Sequence, residues 1–197
     1  MNLPEPISDF LDVLRQPWKP VSTAGIFIGA SIYAWGLIFF FTHSGDMFMI
    51  DNVNLPIHEG GHLIFGIFGW EELTVWGGTL MQCLVPFALA LGFAYRREIS
   101  GTAFCAFVLF ENFLNVATYM ADAREQDLPL VTTGQADYVE HDWAHILGHL
   151  NLLQYDTTFA TGLRAVAYLG MLATISWMLW AWWQQRQEKG HAKAAGL

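Results

Sequence analysis

The sequence predicts an all-α, multi-spanning helical membrane protein with four full spans and one short or re-entrant helix. Of its 197 residues, 54% are hydrophobic and only 14% are charged, and the mean hydropathy is +0.33. Apolar runs long enough to cross the hydrocarbon core of a bilayer recur along the chain. This combination is typical of integral membrane proteins rather than of soluble domains.

The chain begins with a segment, Met1 to Pro20, that lacks the basic start and apolar centre of a secretory signal, so we expect it to remain in the mature protein. Apolar residues at helical spacing predict a short interfacial helix there: Ile7, Phe10, Leu11 and Leu14. The first span is predicted from Val21 to Phe41. Within it, Gly25 and Gly29 form a GxxxG pattern that would permit close packing against another helix.

The rest of the chain contains one shorter apolar segment and three longer ones. Ile57 to Trp70 is long enough for only about two-thirds of a bilayer core, so it predicts a half-span. Glu71 to Gly78 is expected to form a turn. Three further apolar helices are then predicted, at Thr79 to Tyr95, Gly101 to Ala121 and Thr157 to Trp183.

The distribution of Lys and Arg favours one topology. If the half-span dips into the membrane and returns to the same side, only Arg124 and Arg164 lie outside, which leaves seven of the nine basic residues in the cytoplasm. Five complete crossings would divide them almost evenly. We therefore expect a single membrane domain over residues 1–197, with cytoplasmic termini, an outer polar loop at 122–156, a last span at 157–183 and a cytoplasmic tail at 184–197.

The sequence His58-Glu59-Gly60-Gly61-His62 is an HExxH motif. On a helix, residues four apart lie on the same face, so His58 and His62 can bind one zinc ion. Glu59 between them is then placed to act as the general base on zinc-activated water. Three ionisable groups in an apolar region are costly unless they are used.

A second group of histidines lies in the predicted outer loop. His141, His145 and His149 follow one another at intervals of four, so one helical face would carry all three. The predicted topology brings them, with Asp122, to the same side of the membrane as the HExxH motif. They are candidates for metal ligands, for groups that stabilise an oxyanion, or for proton carriers, and the alternative is a merely solvated polar face.

Other residues receive structural interpretations. Cys83 and Cys105 lie in apolar runs and are expected to be small buried side chains rather than a disulfide or metal ligands. Asn112 and Asn115 are expected to hydrogen-bond neighbouring helices.

The formal net charge of −9 and the lack of a basic patch argue against nucleic acid as a partner.

Several tracts resemble the site-2 protease family of intramembrane zinc metallopeptidases and its small, mostly uncharacterised bacterial membrane relatives. The tracts are Ile57 to Trp70, with its HExxH, then Tyr119 to Arg124, then His141-Asp142-Trp143. The resemblance covers residues 55 to 150, and its specific motif is the HExxH.

The resemblance implies that His58 and His62 bind zinc and that Glu59 is the general base. The third ligand in that family is an aspartate in an Asn-Pro-Asp-Gly or Leu-Asp-Gly setting, whereas Asp122 stands in Ala-Asp-Ala. This departure leaves two histidines as alternative third ligands, His141 and then His145.

The function expected from the sequence is that of a zinc-dependent peptidase acting on membrane-embedded or membrane-adjacent protein segments, in a bacterial cytoplasmic membrane. Its partners would be membrane lipids and a membrane protein substrate. The alternative is a non-catalytic, metal-binding accessory or structural subunit of a larger membrane complex, and a third possibility is an ion or proton carrier. An open coordination position on the metal would favour catalysis, and a site closed by four protein ligands would favour structure.

Overall fold

The structure is a computed structural model that describes residues 12–13, 15–43, 51–128 and 141–194. These residues form six α-helices and no strand, so the prediction of an all-α fold is confirmed. The helices are α1 (Thr23–Thr42), α2 (Asp51–Gly66), α3 (Glu71–Tyr95), α4 (Ile99–Ala121), α5 (Asp142–His149) and α6 (Asp156–Ala194), and a short 3-10 turn (Leu153–Tyr155) precedes α6.

Four of the helical segments are long and apolar enough to cross a membrane: α1, α3, α4 and the segment Leu153–His191. Helix α2 has 16 residues, which corresponds to about 24 Å at 1.5 Å per residue. It is therefore shorter than the roughly 30 Å hydrocarbon core of a bilayer. The structure is that of a multi-spanning membrane protein with four spans, the short helix α2 that carries the HExxH motif, and the eight-residue helix α5.

The chain divides into two compact units, and helices α3, α4 and α6 each contribute a segment to both. Unit 1 comprises residues 1–42, 87–108 and 170–197. Around its core, Lys19 and Glu98 form an ion pair with a separation of 2.8 Å between Nζ and Oε1, and the Arg97 guanidinium lies 4.0 Å from the centroid of the Trp18 ring. The core itself consists of Ile26, Ile99, Ala103, Met178 and Ala181.

In the described part of the chain, the GxxxG pattern of α1 is not in contact with the backbone of another helix at either glycine. A Cβ added at Gly29 would lie 3.9 Å from Cε of Met178, which is a normal van der Waals separation. A Cβ added at Gly25 would meet the hydroxyl of Ser22, three residues earlier in the chain. The pattern therefore does not mark a close backbone approach within this unit.

Unit 2 comprises residues 43–86 and 109–169, and it contains a helical hairpin of α2 and the first part of α3. The two helices approach closely at Gly61 and Gly77, since a Cβ at Gly77 would lie only 2.7 Å from the Gly61 carbonyl oxygen. Helix α5 packs through Trp143, whose ring contacts Trp76 edge-on at a centroid distance of 5.5 Å. The core of this unit consists of Val116, Ala117, Met120, Ala123, Trp143, Ile146, Leu147 and Ala160.

The hairpin differs from the prediction in its boundaries. Helix α2 begins at Asp51, before the predicted start, and the expected turn from Glu71 to Gly78 is wrong because these residues are the first two turns of α3. Acidic residues in a first turn interact favourably with the helix dipole, and Glu71 and Glu72 both lie there. The chain reverses instead at residues 67–70, where Gly69 has a φ of 65°.

The remaining segments are partly as predicted. The span Val21 to Phe41 is confirmed as α1, and the span Gly101 to Ala121 as α4. The last helix is longer than expected, because α6 continues through most of the predicted tail. The predicted polar loop contains α5 and the 3-10 turn, with residues 129–140 outside the described part of the chain. The interfacial helix at Met1 to Pro20 also lies mostly outside the described residues, since only 12–13 and 15–20 of it are described.

Candidate metal centre

The two HExxH histidines meet an aspartate from the short helix α5. Asp142 Oδ2 lies 2.9 Å from His58 Nε2 and 3.2 Å from His62 Nε2. One ligand atom from each of the three side chains lies within 4.8 Å of the other two. The imidazole rings are 4.8 Å apart between centroids and nearly perpendicular, at 74°. Two imidazoles and one carboxylate are a common ligand set of catalytic zinc.

Hydrogen bonds on the far side of each ring fix the direction in which its second nitrogen points. The Nδ1 of His62 lies 2.8 Å from the carbonyl oxygen of Thr74, which can only accept, so this nitrogen carries the proton. The Nδ1 of His58 lies 3.2 Å from Oε1 of Gln82. With both Nδ1 atoms donating, each Nε2 presents its lone pair to the Asp142 carboxylate. A cation or a proton between them is needed to stabilise this arrangement.

The spacing of the three atoms suits a tetrahedral ion. Ligand atoms about 2.0–2.1 Å from a tetrahedral zinc lie roughly 3.3 Å from one another, which is close to the distances of 2.9 and 3.2 Å from the two Nε2 atoms to Asp142 Oδ2. Gly78 of α3 faces the same point, because an added Cβ would collide with His58 Nε2 and would lie 2.6 Å from His62 Nε2. The missing side chain of Gly78 therefore leaves the space that an ion bound by the two histidines requires.

Asp142 owes its position to the start of helix α5. It is the first residue of this helix, and its backbone N–H donates to the hydroxyl of Tyr119 over 3.1 Å. Burial raises the pKa of the Asp142 carboxyl, but its interactions with the imidazoles of His58 and His62 outweigh this effect and hold the pKa below its ordinary value. Asp142 is thus ionised near neutral pH, as a metal ligand must be.

Glu59 lies between the two histidines in sequence and is half-buried. Its charge interacts with both the His62 imidazole and the Tyr119 hydroxyl. Glu59 does not belong to the group of three converging ligand atoms.

Two of the residues predicted as ligands form a separate pair. His141 caps helix α5 by accepting the Ala144 N–H at its Nδ1, which leaves Nε2 to carry the proton, 3.4 Å from Oδ2 of Asp122. The Asp122 carboxylate also accepts the backbone N–H groups of Asp127 and Leu128 over 3.0 and 3.1 Å. Burial lowers the pKa of His141 more than the neighbouring carboxylates raise it. The structure therefore does not bring His141 or Asp122 into the group around His58 and His62.

His145 and His149 also lie outside the first group and converge on Glu72 instead. The separations are 2.6 Å from His149 Nδ1 to Glu72 Oε1 and 3.7 Å from His145 Nε2 to the same oxygen. None of the three loop histidines therefore belongs to the group around His58 and His62. Asp142, which follows His141 in the sequence, does belong to it.

Two side-chain amides, those of Gln82 and Asn115, hold the His58 imidazole through its Nδ1. Gln82 accepts the His58 Nδ1–H at its Oε1 and donates from Nε2 to Oδ1 of Asn115 over 2.8 Å. Asn115 therefore joins helices, as expected, and also orients a candidate ligand. One turn away, Asn54 of α2 donates to the buried carboxylate of Glu111 over 3.3 Å.

The sequence reasoning missed Asp142, Glu72, Gln82 and Glu111. A periodicity was available for most of the surrounding residues, because helices α2, α3 and α4 each carry polar residues, or in one place the glycine of the site, at intervals of four. The three series are Asn54, His58 and His62 on α2, Thr74, Gly78 and Gln82 on α3, and Glu111, Asn115 and Tyr119 on α4. Asp142 carried no comparable signal, since its approach to the histidines depends on tertiary packing of α5.

Comparison with known proteins finds no relative of this chain. No family model, no curated protein and no solved structure matches the chain.

Arg124 and the two cysteines have other surroundings. Arg124 forms an ion pair with the fully buried Asp156, with 2.8 Å between Nε and Oδ2. Cys83 and Cys105 are free thiols, half-buried and buried respectively. Neither observation links these residues to the candidate metal centre.

The site combines three potential metal ligands, the carboxylate of Glu59 next to His58 in the sequence, and the space left by the missing side chain of Gly78. Within the described residues, only three ligand side chains converge on the point between His58 and His62. Zinc held by three protein ligands and an open fourth position is typical of catalytic sites, whereas four protein ligands are typical of structural ones.

Proposed function

We propose that this protein is a membrane zinc hydrolase, and specifically a peptidase that acts on membrane-embedded or membrane-adjacent protein segments. The supporting observation is the convergence of His58 Nε2, His62 Nε2 and Asp142 Oδ2, with Glu59 next to His58 in the sequence. The resemblance of the HExxH tract to the site-2 protease family supports the same proposal. Asp142 then takes the third-ligand role that we expected of Asp122 or His141.

The residues divide the work as follows. His58, His62 and Asp142 hold the ion, while Gln82 and the Thr74 carbonyl keep the two imidazoles in orientation. The zinc, when bound, supplies Lewis acidity that polarises the substrate carbonyl and makes water more acidic. Glu59 accepts the proton of the attacking water and later delivers it to the leaving amine.

Tyr119 is our candidate for stabilising the oxyanion that forms on the substrate carbonyl. Its ring lies 6.0 Å from the His58 ring between centroids. Its hydroxyl oxygen accepts the Asp142 N–H, so its own proton stays available to donate. Tyr119 thus takes one of the roles that the sequence left open for His141, His145 and His149.

The experiment that tests the proposal is the conservative substitution Glu59→Gln. It removes the base but keeps the size and polarity of the side chain, so the variant should fold and hold zinc like the wild type. General-base catalysis contributes about 10²–10⁴-fold in rate, so proteolysis should fall by a comparable factor. New peptide ends in native membranes, identified by mass spectrometry after incubation with each protein, provide the readout.

The neighbouring Gly60→Ala variant is the matched control, because an added Cβ there meets nothing within 4 Å. It should cleave like the wild type. Identical peptide ends from the wild type and Glu59→Gln, at equal zinc content, would reject the peptidase and support the alternative of a non-catalytic accessory subunit in a larger membrane complex.

We also propose the location and partners of the protein. It would lie in a bacterial cytoplasmic membrane with both termini in the cytoplasm, because that topology leaves seven of the nine basic residues inside. Its partners would be membrane lipids and a membrane protein substrate, and the net charge of −9 argues against nucleic acid.

A further inference from the structure

A second cluster of possible metal ligands lies between helix α5 and the start of α3. Glu72 belongs to the first turn of α3, and His145 and His149 lie four residues apart on α5. One ligand atom from each lies within 4.8 Å of the other two. None of these three side chains takes part in the proposed hydrolysis.

The arrangement is more specific than a surface ion pair. Both imidazoles face the same oxygen, Oε1 of Glu72, at 2.6 Å from His149 Nδ1 and 3.7 Å from His145 Nε2. The two rings are tilted against each other, with centroids 4.0 Å apart and planes at 31°. An ion pair needs one imidazole, whereas two imidazoles directed at one carboxylate supply three ligand atoms to a single point.

The burial of the side chains suits a site that is partly preformed and reached from solvent. The side chain of His145 is 5% exposed and is therefore fixed, whereas those of Glu72 and His149 are 40% and 58% exposed. Ligand atoms of one zinc lie roughly 3.3 Å apart, so only small rotations of the two exposed side chains would close the cluster around an ion.

The cluster also has a structural connection to the first site. Helix α5 has only eight residues, too few to be stable in isolation, so contacts with other elements determine its position. The same helix carries Asp142 at its first residue. An ion held by Glu72, His145 and His149 would tie the far end of α5 to α3 and so hold Asp142 near His58 and His62.

We propose that Glu72, His145 and His149 form a second, solvent-accessible site for zinc or a similar divalent transition-metal ion, and that its occupancy strengthens metal binding at the first site by fixing helix α5. The donor set of two imidazoles and one carboxylate favours such ions over magnesium or calcium, which prefer oxygen ligands.

The test is zinc binding by the full-length protein in detergent, with zinc alone as the probe and equilibrium dialysis followed by elemental analysis as the readout. The wild type should bind two ions per chain. Glu72→Gln and His149→Ala should each bind one, and Glu71→Gln, a change at the neighbouring exposed glutamate, should still bind two. Saturation of the wild type at one ion, or two ions in both Glu72→Gln and His149→Ala, would overturn the proposal.

The coupling is measured in the same series. Coupling between two sites usually changes an affinity by about 5–150-fold, so the ion that remains in Glu72→Gln and His149→Ala should bind at least about fivefold more weakly than the tighter ion of the wild type. An unchanged affinity would overturn the coupling. The His62→Ala variant distinguishes a failure of this proposal from a failure of the proposed function. It removes the first site, while Glu72, His145 and His149 continue to bind one ion.

Discussion

At the scale of single residues, the surroundings of Asp122 and Asp142 give the two carboxylates different roles. Both side chains are largely buried, at 10% and 12% exposure. Backbone N–H groups of Asp127 and Leu128 satisfy the Asp122 carboxylate, so it stabilises the turn that follows α4. The Asp142 carboxylate instead faces two imidazole nitrogens. Asp142 is therefore the metal ligand in our account.

Substitution of these two aspartates separates the alternatives. In a Glu72→Gln background, Asp142→Ala should weaken zinc binding strongly. Loss of a residue that only hydrogen-bonds a metal ligand costs about 10–100-fold in affinity, and loss of the ligand itself should cost more. Asp122→Asn keeps acceptor oxygen for the turn and should change zinc affinity by less than about tenfold. Competition with a coloured chelator measures both. A larger loss in Asp122→Asn than in Asp142→Ala would return Asp122 to the ligand set.

The residue scale also shows what the sequence can reveal about the site. The pairing of His58 with His62 follows from helix geometry alone, because residues four apart share a face. The identity of the third ligand does not follow from any local pattern. His141 and Asp142 are neighbours, and the backbone at the start of α5 decides which of them faces the pair: His141 accepts the Ala144 N–H as the cap, and Asp142 is directed at the histidines.

At the scale of elements, the α2–α3 hairpin builds the site from close backbone contacts. Gly61 and Gly77 let the two helices approach, and Gly78, next along α3, leaves room beside both Nε2 atoms. The predicted turn at Glu71 to Gly78 was wrong, because Gly77 and Gly78 lie within helix α3. Their role is packing instead, and the reversal of the chain at 67–70 uses Gly69 with its positive φ.

The hairpin yields a prediction from a single methyl group. Gly78→Ala should abolish zinc binding at the first site, since the added Cβ overlaps the space between His58 Nε2 and His62 Nε2. Helix formation should not suffer, because alanine is favoured over glycine in helices by about 1 kcal/mol. Zinc content and the far-ultraviolet circular dichroism spectrum measure the two effects. Gly60→Ala should keep both signals, and normal zinc at the first site of Gly78→Ala would refute this placement of the ion.

At the scale of the whole molecule, the exposed surface of the spans matches a bilayer rather than water. Helix α1 exposes large apolar side chains along its length, namely Phe27, Ile28, Ile32, Trp35, Ile38 and Phe41. The long apolar runs predicted these spans correctly because hydrophobic length is a local property of the sequence. The position of α5 was not predictable in this way, since it depends on contacts distant in sequence such as the one between Trp76 and Trp143.

The proposed topology is tested by single cysteines on either side of the last span. Gln154→Cys precedes α6 and Lys189→Cys lies near its end, and both positions are exposed. In intact cells an impermeant maleimide should label Gln154→Cys, and Lys189→Cys only after the membrane is opened. The unmodified protein is the control, because Cys83 and Cys105 lie within spanning helices. The reverse pattern of labelling would place the termini outside.

The central claim is that His58, His62 and Asp142 hold one zinc ion and leave a coordination position open. Zinc K-edge X-ray absorption of the Glu72→Gln protein, loaded with one equivalent of zinc, tests it most directly. Our account predicts two imidazole ligands, one carboxylate and one non-protein ligand, with one imidazole lost in His62→Ala. A zinc ion closed by four protein ligands, or a spectrum unchanged by His62→Ala, would contradict it.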